Sequence, residues 1–199
     1  IVMLSSDNGP EVTSVVNMRK DHQHDGARPW RGVKRDQWEG GHRVPFIVRW
    51  PGKVKAGSES TQTVNLTDVM ATCAAIAGAK LPDDAAEDSY DLSSLLKGGT
   101  EVIRPYTLQQ TWNASYAIRR GKWKYLDHKG SGGNDYHRWE GLEAYILPEK
   151  APDAPGQLYD LEKDPGETTN LYFEQPEVVK ELKALLDQSI REGRSAPRR

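Results

Sequence analysis

The chain opens on an apolar run, Ile1-Val2-Met3-Leu4, which is followed at once by a dense turn signal over residues 5–10. A short apolar run bounded by turn residues is typical of a buried strand. In open α/β sheets, ligands bind where the carboxyl ends of strands meet polar loops. We therefore expect Asp7 and Asn8, which follow the run directly, to lie at such an edge. A natural chain seldom begins inside a core strand, so we also expect an N-terminal portion of the same protein to precede this sequence.

The composition excludes several classes of protein. The 199 residues contain 27 Lys and Arg against 29 Asp and Glu, which gives a net charge of −2 and removes the electrostatic case for a nucleic-acid partner. No window approaches the roughly 18 apolar residues of a membrane-spanning helix. A single cysteine excludes an internal disulfide framework and a cysteine-rich zinc module.

Periodicity predicts an α/β region followed by a smaller α+β region. The expected elements are a strand at 46–50, a helix at 67–77 that begins at Thr67 and ends at Gly78, a hairpin formed by 116–119 and 123–126, and an amphipathic helix at 176–190. The segment from the first turn to about Glu39 is predicted as a polar loop. Cys73 falls on the apolar stripe of the helix at 67–77, so we expect it to be a small core residue.

Asp7 and Asn8 form the first candidate site. A carboxylate beside an amide carbonyl offers the hard oxygen ligands that calcium or magnesium prefers. The alternative is an ordinary turn in which both side chains bond their own backbone. On spacing alone the two interpretations stay open.

The second candidate is a basic loop that contains Arg31, Lys34 and Arg35. Three cations within five residues suit an anion such as a sulfate or phosphate ester, although a solvated basic loop is the alternative. The glycine pair in Trp38-Glu39-Gly40-Gly41 predicts a fixed, closely packed turn just after this loop. Less specific candidates are a zinc site at His22, His24 and Asp25 and a sugar-stacking tryptophan, Trp112 or Trp139.

The blocks that carry these residues form an ordered set along the chain. They are Ser6-Asp7-Asn8-Gly9, Arg31-Gly32-Val33-Lys34, Trp38-Glu39-Gly40-Gly41 and residues 43–52, followed by 65–82, 90–98, 121–124 and 158–167. In this order the set resembles the formylglycine-dependent sulfatases (arylsulfatase family) of the alkaline phosphatase-like superfamily. The resemblance covers nearly the whole chain and implies the C-terminal part of a mixed-sheet α/β sulfatase domain followed by a small subdomain with an antiparallel sheet and a C-terminal helix.

The resemblance also implies roles for particular residues. Asp7 and Asn8 correspond to two ligands of a Ca²⁺ ion, and Lys34 corresponds to a catalytic lysine that contacts the substrate sulfate. The family's formylglycine nucleophile arises from a Cys or Ser in a Cys/Ser-x-Pro/Ala-x-Arg segment, which Cys73 does not match. Residues 195–199, Ser-Ala-Pro-Arg-Arg, match it loosely, but we expect a frayed terminus there and a nucleophile in the preceding portion.

The expected organisation is therefore the end of the large catalytic domain at 1–99 and a small subdomain at 100–199. The implied function is hydrolysis of sulfate esters, on small molecules or on carbohydrates, by a periplasmic or secreted protein without a membrane span. The alternatives are a phosphoryl or phosphonyl hydrolase of the same superfamily and a non-catalytic binding protein that retains the fold. We expect the 199 residues alone to be inactive.

Overall fold

A computed structural model describes residues 1–198 of the chain. The helices and strands in this range are, in order, β1 (Val2–Ser5), α1 (Val12–His22), β2 (Phe46–Arg49), α2 (Asp68–Ala77), α3 (Ser93–Leu96), β3 (Thr107–Gln110), β4 (Tyr116–Arg120), β5 (Trp123–Leu126), β6 (Gln157–Asp160) and α4 (Pro176–Glu192). They belong to two compact units. The first contains residues 1–5, 45–107 and the described residues from Leu185 onwards, and the second contains residues 6–44 and 108–184.

The first unit holds the opening strand. β1 pairs antiparallel with β2, from Val2 opposite Arg49 to Ser5 opposite Phe46. Both strands lie where the sequence predicts them. Val2 and Leu4 are 59% and 55% exposed in this chain. Burial of β1 within the longer natural protein stays a prediction.

α2 is the second main element of this unit, and its buried face differs from the predicted one. Met70 and Cys73 are exposed, whereas Asp68, Ala71 and Thr72 are buried. Cys73 is therefore not a core residue, and the apolar stripe alone misplaced the helix face. Its end is as predicted, with Gly78 in the left-handed conformation at a φ of 69°.

Asp68 explains which face of α2 is buried. Its carboxylate accepts hydrogen bonds from the backbone N–H groups of Asn65 and Tyr90, at 2.8 and 2.9 Å. It also forms an ion pair with Arg104, whose Nη2 lies 2.5 Å from Oδ1 of Asp68, and both side chains are buried. Because an unpaired buried charge is very unfavourable, these partners fix the orientation of the helix.

The second unit is built on a sheet of order β3-β4-β5-β6, in which β4–β5 and β5–β6 are antiparallel. The predicted hairpin is confirmed: Arg120 pairs with Trp123, and Gly121 occupies a left-handed conformation at a φ of 58°. β3 was not predicted. The strands therefore supply the antiparallel sheet expected of the small subdomain.

α1 also belongs to the second unit and corrects the prediction of a polar loop up to Glu39. The Glu11 carboxylate accepts a hydrogen bond from the N–H of Val12 at 3.0 Å, which caps the helix. Val12 and Val15 face the core, and Arg19, Lys20 and His22 in the last turn complement the helix dipole. A polar helix with two buried valines gives only a weak periodic signal, which is why the pattern read as a loop.

The core of the second unit collects side chains from α1, the basic loop and the sheet. Its buried members are Val12, Val15, Val33, Trp38, Ala117, Leu126, Tyr136, Leu142 and Tyr159.

α4 runs from Pro176 as predicted and continues to Glu192; Val179, Leu182 and Leu186 are buried along one stripe. In the described range, no helix is long and apolar enough to cross a membrane. The domain boundary at 99/100 stays a prediction.

Candidate functional site

The bend at residues 7–9 presents two oxygen-bearing side chains in the second unit. Asp7 is exposed and Asn8 is half-buried. The Asn8 Nδ2 group donates a hydrogen bond to the carbonyl of Gly9 at 2.9 Å, and the Ser6 hydroxyl donates to the Asn8 carbonyl at 3.0 Å. The bend is thus held through the amide nitrogen of Asn8, which leaves its Oδ1 atom as an acceptor.

Lys34 contacts the segment that directly follows this bend. Its backbone N–H donates to the carbonyl of Pro10 at 2.9 Å, and its Nζ lies 3.5 Å from Oε2 of Glu11. On the other side, the Asn134 Nδ2 group donates to the Lys34 carbonyl at 2.9 Å. The backbone of Lys34 is therefore fixed on both sides, while its side chain remains 37% exposed.

Arg35 is the main ionic partner of Glu11. Its guanidinium makes a two-pronged contact with that carboxylate, at 2.5 and 3.1 Å, and its Nε donates to Asn134 at 3.2 Å. The hydrogen bond from Arg35 is the main reason why the pKa of Glu11 is lowered, against the opposing effect of burial. Lys34 consequently needs to contribute little to balancing Glu11.

Arg31, the third cation of the basic loop, has a structural role. Its guanidinium stacks on the Trp38 ring at 3.5 Å, and its Nη1 donates to the Glu167 carbonyl at 3.0 Å. The three cations therefore do not act as one anion site. Lys34 and Arg35 both pair with Glu11, and the pair made by Lys34 is the longer one, at 3.5 Å against 2.5 Å.

The turn Trp38–Gly41, whose last three residues form a 3₁₀ helix, contacts both the bend at residues 7–9 and the start of the basic loop. The N–H of Gly9 donates to the Gly41 carbonyl at 2.9 Å, and the N–H of Gly40 donates to the Arg31 carbonyl at 2.7 Å. A Cβ atom at Gly9 would come within 1.9 Å of the Gly40 carbonyl oxygen, so only glycine allows this approach. The predicted fixed turn is found, and it packs against the bend that carries Asp7 and Asn8.

Beneath this turn lies a buried group of charges that the sequence interpretation did not single out, here called the ion cluster: Glu39, Lys124 and Glu167. The Nζ of Lys124 lies 3.0 Å from Oε1 of Glu39 and 3.4 Å from Oε1 of Glu167. Oε2 of Glu167 accepts the backbone N–H of Glu39 at 2.7 Å. All three side chains are at most 2% exposed.

The environment shifts the pKa values of the two carboxylates of the ion cluster in opposite directions. Burial raises the pKa of Glu167 to about 7, against the opposing effect of Lys124. Burial also acts to raise the pKa of Glu39, but Lys124, His42 and Arg119 outweigh it and hold that pKa well below its usual range. Glu39 is therefore the permanent anion, since Arg43 and Arg119 also contact it at 3.1 and 3.0 Å.

The sequence contained one signal for the ion cluster. Along β5, side chains alternate between the two faces of the sheet, and Lys124 shares its face with Leu126, a member of the core. A lysine at a core-facing strand position needs buried acidic partners. No spacing rule links Lys124 to Glu39 or Glu167, which lie 85 and 43 positions away, so the partners were not predictable from the pattern.

The second unit also contains a cavity of about 550 Å³. Arg31 and Trp38 line it, together with the amides Asn134, Gln157 and Asn170. These amides are already engaged: Gln157 bonds Trp38, Tyr159 and two backbone carbonyls, and Asn170 bonds the N–H of Leu158 at 3.0 Å. The cavity is thus walled by groups that hold the loops together.

Other candidates are not assembled into sites. Residues 1–198 contain no group of three or more His, Cys, Asp or Glu side chains placed to hold a metal, so the described chain does not assemble His22, His24 and Asp25 into a zinc site; Asp25 instead pairs with Arg28 at 3.2 Å. Ser195 is buried, not frayed, and its hydroxyl donates to Asp88 at 2.7 Å. Arg199, the last residue of the loose nucleophile match, lies outside the described residues.

Comparison with known proteins identifies the family. Residues 30–195 match the family described as N-sulphoglucosamine sulphohydrolase, C-terminal. The chain belongs to the sulfatase family. It is 36% identical over 94% of its length to the N-acetylgalactosamine-6-O-sulfatase of Bacteroides thetaiotaomicron, and 30% identical over 98% of its length to the steryl-sulfatase of Mus musculus.

The solved structures agree with that membership. A structure from work on glycosaminoglycan metabolism in Bacteroides thetaiotaomicron superimposes on 94% of the sulfatase chain with a TM-score of 0.77 and 35% identity. The match covers 38% of that structure's chain, and the two curated relatives are covered over 35% and 32% of their lengths. The chain thus spans about a third of the length of the proteins it matches. The family match and the superposition confirm the family and the fold class predicted from the sequence blocks.

Proposed function

We propose that the natural protein containing this chain is a sulfuric ester hydrolase and that this chain contributes Asp7 and Asn8 as metal ligands and Lys34 as the sulfate-contacting, catalytic lysine. The observation that carries the proposal is the attachment of Lys34 to the segment just after the bend, through the N–H bond to Pro10 at 2.9 Å and the ion pair with Glu11 at 3.5 Å. The oxygen donors of the bend suit a divalent cation, and the exchangeable ammonium of Lys34 suits a tetrahedral oxyanion.

The residues present fit a share of a calcium site. The carboxylate of Asp7 and the amide Oδ1 of Asn8 are hard oxygen donors, and Oδ1 accepts no hydrogen bond among residues 1–198. Calcium takes six to eight oxygen ligands, so we propose that the bend supplies two of them and that other acidic ligands and the formylglycine nucleophile come from elsewhere in the natural protein. When bound, the ion supplies positive charge beside the sulfate oxygens.

Lys34 stabilises the charge that develops on the sulfate group. Its ammonium can leave Glu11 for an incoming sulfate without stranding an unpaired acid, because Arg35 keeps its two-pronged contact with Glu11. Its backbone stays fixed between Pro10 and Asn134, so the ammonium reaches the anion with little reorganisation. Preorganised charge of this kind makes the largest contribution to the rate enhancement in many enzymes.

For the substrate, we propose a sulfated carbohydrate or a smaller sulfate ester. The relative with 36% identity is named as an N-acetylgalactosamine-6-O-sulfatase, so a 6-O-sulfated amino sugar is the first compound to assay. Periplasmic or secreted location is proposed on the family alone. A phosphoryl or phosphonyl hydrolase of the same superfamily, or a non-catalytic binding protein, remains as the alternative that the assays distinguish.

The test is the substitution Lys34→Ala in the natural protein, with 4-nitrophenyl sulfate and 6-O-sulfated N-acetylgalactosamine as substrates. Loss of one preorganised charge contact is worth about 3 kcal/mol, so kcat/KM should fall at least on the order of 100-fold. Lys20→Ala, an exposed lysine at the end of α1, is the matched control and should leave kcat/KM unchanged.

Four results would contradict the proposal or a part of it. Unchanged turnover in a folded Lys34→Ala protein would remove Lys34 from the mechanism. Faster hydrolysis of 4-nitrophenyl phosphate than of the sulfate would favour the phosphoryl alternative, and binding without turnover of either would favour the non-catalytic one. The 199 residues alone should show no turnover, and measurable activity from them would show that the nucleophile is within this chain.

A further inference from the structure

We propose that Lys124 is a positioning residue: its buried ammonium, clamped between Glu39 and Glu167, holds the turn Trp38–Gly41 in the one place from which it supports both the Asp7–Asn8 bend and the segment of Lys34. Lys124 touches neither functional segment itself. Its consequence for catalysis rests on the proposed function, whereas its effect on the geometry of the turn does not.

The ion cluster connects three parts of the second unit. Glu39 belongs to the turn, Lys124 to β5, and Glu167 to the loop after β6. Glu167 grips the turn twice, through the N–H of Glu39 at 2.7 Å and through Lys124, which bridges to the Glu39 carboxylate. The turn is thereby bound at Glu39 by a backbone contact to the loop after β6 and by a side-chain contact to β5.

From the turn, the contacts continue to both functional segments. Gly41 accepts the N–H of Gly9 at 2.9 Å, next to Asn8, and Gly40 donates to the Arg31 carbonyl at 2.7 Å, at the start of the loop that carries Lys34. The backbones are so close that a Cβ atom at Gly40 would come within 2.3 Å of the Gly32 carbonyl oxygen. A small displacement of the turn therefore has to move the bend and the basic loop with it.

The chemistry of the ion cluster suits a positioning role. Glu39 keeps two other cationic partners, Arg43 and Arg119, so neutralising its charge does not require Lys124. Oε1 of Glu167, by contrast, makes no hydrogen bond within the described part of the chain, and its ionic partner is Lys124. Lys124 adds a fixed distance between the two carboxylates. A variant that lacks both the ammonium of Lys124 and one negative charge distinguishes this positioning effect from the effect on charge balance.

The experiment compares hydrogen exchange of backbone amides in the natural protein that contains this chain and in three variants of it. Lys124→Met removes the clamp. Lys124→Met with Glu167→Gln, compared with the wild type at pH 8 where Glu167 is ionised, removes it while keeping the charge balanced. Lys122→Met is the matched control, since Lys122 lies on the same hairpin and also pairs with an acid, Asp160, but does not reach the turn. The reporters are the amides of Gly9 and Gly40, and the reference is the amide of Asp127, which donates to the Tyr116 carbonyl.

We expect the charge-balanced variant to melt near the wild-type temperature while the amides of Gly9 and Gly40 exchange at least tenfold faster and that of Asp127 changes less than threefold. Lys122→Met should leave all three amides unchanged. In the natural protein, kcat for the sulfate ester should fall at least tenfold in the charge-balanced variant, with a smaller change in KM.

The proposal is overturned if exchange at Gly9 and Gly40 returns to the wild-type rate in the charge-balanced variant, because Lys124 would then only balance charge. It is also overturned if that variant does not fold, or if all three amides accelerate equally, because Lys124 would then support the whole unit. If the wild-type protein hydrolyses no sulfate ester, the proposed function fails, but the exchange comparison still decides the role of Lys124.

Discussion

Glu167 should make the stability of this protein depend on pH in a window where ordinary carboxylates do not titrate. Burial raises its pKa from 4.5 to about 7 in the folded chain. A difference of about 2.5 pH units corresponds to about 3 kcal/mol of unfolding free energy. Because the side chain is fully buried, little of this effect is screened by solvent.

The direction follows from which state binds the proton more tightly. Between pH 4.5 and 7 the folded chain keeps a proton on Glu167 that the unfolded chain has released, so this contribution is full below pH 4.5 and is lost as the pH rises through about 7. Glu39, whose pKa is lowered, acts in the opposite sense, and its contribution is lost only as the pH falls below 4.5. The window from 4.5 to 7 therefore separates the two acids.

The perturbation is Glu167→Gln, which keeps an oxygen to accept the N–H of Glu39 but does not titrate. Urea unfolding, followed by tryptophan fluorescence at pH 5, 6, 7 and 8, gives the free energy of each chain. The difference between variant and wild type should change by about 2.5 kcal/mol from pH 5 to pH 8, in favour of the variant at the higher pH. Taking the difference also removes the shared contributions of His42 and His128, whose pKa values are lowered mainly by burial.

Parallel stability curves for Glu167→Gln and wild type would refute this reasoning, because they would mean that Glu167 titrates near its ordinary pKa in the folded chain. Glu181→Gln is the matched control. The pKa of Glu181 is lowered by its hydrogen bond from Arg120, so its titration lies below the window and its curve should run parallel to the wild-type curve between pH 5 and 8.

Two further substitutions test the packing of each unit. Asp68→Ala should lower the free energy of unfolding by about 3–5 kcal/mol in urea titrations, because it leaves the buried guanidinium of Arg104 unpaired; a loss below 1 kcal/mol would show that Arg104 finds another partner. Gly9→Ala should destabilise the chain by about 1–3 kcal/mol, because its Cβ would lie 1.9 Å from the Gly40 carbonyl oxygen; an unchanged urea midpoint would mean that the two segments are not in close contact.

Elements with strong local signals were predictable from the sequence. The hairpin around Gly121 and α4 from Pro176 have the expected turn chemistry and a continuous apolar stripe, and both are found. α1 was missed because its polar residues outnumber its two buried valines, and its cap, Glu11, is not one of the usual capping residues. Local pattern is informative where propensity and burial agree.

Long-range electrostatics decided what local patterns could not. The face of α2 that is buried follows Asp68 and its partner Arg104, 36 positions away, and not the apolar stripe through Cys73. For the candidate site, the residue types and their order gave Asp7, Asn8 and Lys34, and their roles stay predictions. The position of Lys34 next to the segment after the bend depends on one backbone hydrogen bond to Pro10, which no side-chain pattern encodes.

The alternation along β5 also protects the alignment of this strand. Sliding β5 by one residue against its neighbours would send every side chain to the opposite face. The indole of Trp123 or the phenol of Tyr125 would then meet the two carboxylates, and the ammonium of Lys124 would leave them unpaired in a dry interior. A purely aliphatic position could tolerate such a shift with a modest loss of stability, so the lysine disfavours an incorrect register of β5 during folding.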